Sequence, residues 1–83
     1  MTFQNTFHLV IASVGETKFD GAVVSATIPT SDGEITVLAH HEPIVSTLKG
    51  GTLTVRRQGG EQQTFAVESG VLECSSNRAV VLL

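Results

Sequence analysis

The chain has 83 residues, a mass of 8.8 kDa and a net charge of −3. That length is a single domain, residues 1–83, with a small core, because a chain of this size buries only about 60% of the surface it exposes unfolded. A composition 41% hydrophobic and 16% charged excludes a disordered chain; apolar runs of five residues or fewer exclude a membrane-spanning helix; and the lack of a basic stripe, Tyr or Trp excludes nucleic acid as a partner.

Met1 to Thr6 has neither a basic side chain nor a long apolar stretch, so it is not a signal peptide. Phe7 to Ser13 reads as a strand with Phe7, Leu9 and Ile11 on one face. Val10 and Ala12 make the other face apolar too, which predicts a central strand. Val14-Gly15-Glu16 turns the chain, and Thr17 to Asp20 is a polar edge strand. Asp20-Gly21 is expected as a turn, followed by one strand from Ala22 to Ile28 that Pro29 ends. Thr30-Ser31-Asp32-Gly33 is a polar loop, Ile35 to Leu38 resumes the sheet, and His40-His41-Glu42-Pro43 connects to a strand over Ile44 to Leu48. After Lys49-Gly50-Gly51, Leu53 and Val55 point inward on one strand. Gly59-Gly60 joins it as a hairpin to a second strand, with Phe65 and Val67 inward. Val71 to Cys74 and Ala79 to Leu83 are the last strands, joined through Ser75-Ser76-Asn77; the apolar run Ala79 to Leu83 predicts cover on both faces and a tip at a rim. No window longer than ten residues keeps a helical apolar period free of Gly or Pro. The fold class is all-β, a two-layer β-sandwich of about nine or ten short strands.

Sites of chemistry are sparse. His40 and His41 are adjacent, and neighbours on an extended chain point to opposite sides, so they do not converge on one metal ion. The serines lack a nucleophile-elbow setting, and Ser69-Gly70 has no helix after it. Lys49-Gly50-Gly51-Thr52 has neither the order nor the length of a phosphate-binding loop. Asp32 and Glu34 flank Gly33 as solvated carboxylates or as an acidic rim for a partner. Cys74, the one cysteine, reads as a core residue in a reducing compartment. No catalytic residue, metal or cofactor is expected. Two other readings are weighed: a stand-alone β-sandwich binding module, short of exposed aromatics because Phe3 and Phe19 alone among the four are not placed inward, and a cupin-like metalloenzyme, disfavoured by ligand spacing.

Taken in order, the segments resemble one family. Phe7-His8-Leu9-Val10-Ile11-Ala12-Ser13 is similar to the opening strand of the epsilon subunit of F-type ATP synthases (delta in mitochondrial naming), and Phe19-Asp20-Gly21 to its F-x-G turn. The stretch from Ser31 to Pro43 resembles the acidic-Gly-Glu turn that leads through a strand into His-x-Pro. Leu48-Lys49-Gly50-Gly51 resembles L-K-P-G with glycine at the proline position. Val67 to Cys74 resembles S-G-G-x-L-E-V, with Val71 for a glycine, and Asn77 to Leu82 resembles N-x-V-x-V-L-A.

The resemblance implies a β-sandwich at the foot of a rotor stalk, peripheral to the cytoplasmic face of the inner membrane or its organellar equivalent. There it docks on the gamma subunit and the ring of c subunits and couples their rotation without breaking a bond. By motif position, Ser31, Asp32, Gly33 and Glu34 face the c ring, and His41, Pro43 and Ser46 face gamma. Many family members continue into a helical hairpin that can inhibit ATP hydrolysis and that lies folded against the sandwich. This sequence stops at the sandwich, so no hairpin-mediated inhibition is expected, and the surface that hairpin covers is expected to be polar or to lie under another subunit.

Overall fold

The computed structural model describes residues 5–83; Met1–Gln4, and with them Phe3 and most of the stretch read for a signal peptide, lie outside the described residues. The strands are β1 (Phe7–Ser13), β2 (Glu16–Val23), β3 (Ser25–Thr30), β4 (Gly33–Leu38), β5 (Ile44–Leu48), β6 (Gly51–Arg56), β7 (Gln62–Val67), β8 (Gly70–Ser75) and β9 (Arg78–Leu82). One turn of 3-10 helix, Gln58–Gly60, lies between β6 and β7.

Hydrogen bonding runs continuously through the strands, but the sheet folds over on itself. One layer has the order β2-β1-β9-β8-β5 and the other β4-β3-β6-β7. They join at a corner where Thr30 of β3 pairs with Leu48 of β5. Every pairing is antiparallel except that of β1 with β9, which is parallel with His8 opposite Arg78. The core comes from alternate residues of both layers, as strand geometry requires. Phe7, Leu9 and Ile11 enter from β1, Leu72 and Cys74 from β8, Ala26 and Ile28 from β3, and Leu53 and Val55 from β6. Each fully buried Leu or Ile contributes about 1.5–3 kcal/mol. On the side away from the corner the two edge strands meet. The Phe19 ring of β2 packs edge-on against Phe65 of β7 (centroids 6.0 Å, 74°), and the Arg57 guanidinium lies 5.6 Å from the Phe19 centroid.

The sandwich, the central place of β1, the edge place of β2 and the β6–β7 hairpin agree with the sequence reading. Four local expectations fail. Asp20-Gly21 is not a turn. Both residues lie inside β2, with Asp20 opposite Val10 and Gly21 opposite Leu9. The Asp20 carboxylate accepts a cross-strand bond from His8, and a side chain at Gly21 would meet the Phe19 ring and Arg57. The segment Ala22 to Ile28 is not one strand, because the chain bends at Val24 to leave one layer for the other. Val24 there donates its N–H to the Arg56 carbonyl (2.7 Å).

Pro29 does not end β3. The strand continues to Thr30, and Pro29 sits where the partner along that edge changes from β6 to β5. A missing N–H costs least at such a seam, and the Pro29 carbonyl still accepts from Lys49 N–H (3.1 Å). Among the described residues, β9 is fully covered on one face only, not on both. Ala79 and Val81 are fully buried, whereas Leu82 is 54% exposed on the outer face with Val45 (71%) and Val71 (41%). That outer face mixes these apolar side chains with the exposed Thr47 and Glu73.

Two candidate contact surfaces

The strand register places the turns at two ends of the sandwich. At one end lies the two-residue connection Ser31–Asp32 between β3 and β4, closed by the pair Thr30 and Gly33. Ser31, Asp32 and Glu34 are exposed and Gly33 half-buried, with φ at 119°. Thr30, a polar residue buried among the described ones, holds this turn. Its hydroxyl donates to the Gly33 carbonyl (2.5 Å) and accepts from Asp32 N–H (3.3 Å). The turn is also tied to β5. Ser31 N–H donates to the Thr47 carbonyl (3.0 Å), and the Ser31 and Thr47 hydroxyls are 2.8 Å apart. The four residues assigned to one contact therefore form a single braced, solvent-facing tip. Thr30 and Thr47 brace it, and neither stood out in the sequence, because a threonine in a strand has no motif to mark it.

β4 carries the chain roughly 17 Å away to the other end, where residues 39–43 form the connection to β5. His41 is half-buried and its Nδ1 lies 2.6 Å from the Glu42 carbonyl oxygen. Pro43 is exposed and, with Val45, Glu73 and Ser75, borders an open-sided hollow of about 290 Å³. Ser46 lies further along β5, half-buried on the side of Ile44 and Leu48, and its hydroxyl donates to the Thr47 carbonyl (3.3 Å). The three residues assigned to the second contact are thus not one patch. Val45, rather than Ser46, shares the surface of Pro43.

His40 and His41 do not converge with a further ligand; no group of three or more metal-ligating side chains occurs among the described residues. His40 adopts φ 61° and its backbone N–H donates to Asn77 Oδ1 (2.7 Å). A hydrogen-bonded His and carboxylate do occur, His8 Nε2 and Asp20 Oδ1 at 2.5 Å, exposed across β1 and β2. No serine or cysteine bonds to that pair among the described residues. Cys74 is buried; burial first and the Glu73 charge second push its thiol above the ordinary value of 9.0, the opposite of what a nucleophilic thiolate needs. What both surfaces offer is shape, exposed polar groups and a few apolar contacts.

Comparison with known proteins gives one answer. Residues 6–83 match the family described as ATP synthase, Delta/Epsilon chain, beta-sandwich domain. Relatives named ATP synthase epsilon chain include one from Rhodopseudomonas palustris (strain BisB5), 39% identical over 77 residues, covering 93% of this chain and 56% of that protein. Another, from Dichelobacter nodosus (strain VCS1703A), is 32% identical over 76 residues, covering 92% of this chain and 53% of that one. The chain therefore spans about half the length of these relatives. A chain in the cryo-EM structure of Euglena gracilis mitochondrial ATP synthase, OSCP/F1/c-ring in rotational state 1, superposes with a TM-score of 0.89 at 25% identity, over 99% of this chain and 52% of that one. A chain of the Tetrahymena thermophila mitochondrial ATP synthase central stalk and c-ring structure shares the fold (TM-score 0.76, 11% identity, over 98% of this chain and 65% of that one).

Proposed function

Because this chain belongs to the β-sandwich domain family of the ATP synthase delta and epsilon chains, we propose that it is a non-catalytic part of the central stalk of a proton-translocating F-type ATP synthase. In this reading it couples rotation of the membrane c ring to the gamma subunit. It sits peripherally at the membrane, on the cytoplasmic face or its organellar equivalent. No described helix is long and apolar enough to cross a bilayer.

The observation that carries the reading is the superposition on a chain of the Euglena ATP synthase, which extends over 99% of this chain. The geometry adds to it. The braced tip Ser31-Asp32-Gly33-Glu34 meets the c ring, and His41 and Pro43, at the other end of β4, meet gamma; Ser46, beside Thr47 on β5, is assigned to gamma by resemblance alone. Two surfaces at opposite ends of β4 suit a wedge between two larger bodies. Polar rims of this kind fix register and partner choice more than affinity.

The test uses assembled complexes. Gamma is expected to co-purify with this chain, and a preparation in which it does not would defeat the stalk reading. Glu34→Lys is expected to lower ATP-driven proton pumping severalfold while gamma remains bound, since a reversed charge at an interface opposes docking. Unchanged pumping would remove the c-ring assignment alone.

A further inference from the structure

Asn77 is the second residue of the two-residue turn between β8 and β9, with φ 57° after Ser76 at 51°. Two successive positive φ values make the tight turn that suits the twist of a hairpin, and asparagine tolerates that conformation. Glycine would serve the turn equally well. The side chain does more. Its Oδ1 accepts the His40 N–H (2.7 Å), its Nδ2 donates to the Thr6 carbonyl (3.0 Å), and its own carbonyl accepts the His8 N–H (3.2 Å). One amide thus joins the start of β1, the β8–β9 turn and the 39–43 loop, segments 71 and 37 residues away along the chain.

The bond to His40 matters for the loop. His40 is left-handed (φ 61°), a conformation unfavourable for a non-glycine residue that persists only where its surroundings enforce it. The backbone direction at His40 decides where His41 and Pro43 go. We propose that Asn77 is a positioning residue for the gamma contact. Without meeting gamma, it holds the 39–43 loop in the geometry that docks. This rests on the reading of that loop given above.

Two variants separate the arms of the amide. Asn77→Asp keeps an acceptor for His40 and a residue tolerant of positive φ, but loses the donor to Thr6. Asn77→Gly keeps the turn and loses both bonds. Titration with the gamma subunit is expected to show a fivefold to tenfold loss of affinity for Asn77→Gly, and a change within about twofold for Asn77→Asp. Amide exchange at His40 is expected to quicken in Asn77→Gly and to stay slow in Asn77→Asp.

Asn77→Gly that melts at a lower temperature yet binds gamma normally would show a merely structural residue and overturn the inference. Equal losses in both variants would also overturn it, by placing the effect on the Thr6 arm. A His41→Ala, Pro43→Ala double variant distinguishes the levels. If it binds gamma normally, the loop reading fails and the inference with it. If it loses affinity while Asn77→Gly does not, only the inference fails.

Discussion

Cys74 carries a prediction that its place in β8 makes specific. The thiol is 3% exposed and held protonated by burial and, secondarily, by the neighbouring Glu73 charge. In the unfolded chain it ionises near its ordinary 9.0. Its contribution to stability is therefore complete below that value. It declines above it, as the unfolded chain releases a proton the folded one retains, and it is gone once pH passes the raised folded value. Cys74→Ala should cost about 1–2 kcal/mol near neutral pH by leaving a small cavity. Denaturant titrations of both proteins from about pH 8 to about pH 10 should show that difference shrinking. Iodoacetamide should label the native thiol only at the rate of unfolding.

Among the elements, the β3–β4 hairpin shows how one buried hydroxyl can serve a surface. Thr30→Val preserves shape but removes the bonds to Gly33 and Asp32. It should cost about 1–2 kcal/mol in chemical unfolding and raise amide exchange at Asp32, whereas Thr30→Ser should retain most of both. The strands that alternate, β6 and β7, were legible because one face had to be apolar and a one-residue slip would reverse it, and β1 was legible as central because both its faces are apolar. Asp20-Gly21 misled because the pair has turn chemistry, yet Asp20 spends its carboxylate on His8 across the ladder. Pro29 misled because the rule against proline in a ladder assumes one partner along the strand, and here the partner changes at that residue. The exposed tip 31–34 was legible from motif order. Its bracing by Thr30 and Thr47, and the link from Asn77 to His40, depend on contacts between distant segments that no local pattern encodes.

In the whole molecule, the pairing of β1 with β9 has the widest reach. β1 is hydrogen-bonded to β9, and β9 in turn links β1 to β8. Contacts at such sequence separation bear a large loop-closure cost before they stabilise anything, which slows folding. On the ribosome, the segment up to β7 can form its local hairpins but has no central strand beside β1. Nascent chains arrested before β9 emerges should be digested quickly by a dilute protease, and chains arrested after it should resist. Early resistance would mean that β1 finds another neighbour. During translation β1 therefore waits with one row of backbone N–H and C=O groups unpaired until β9 has been made.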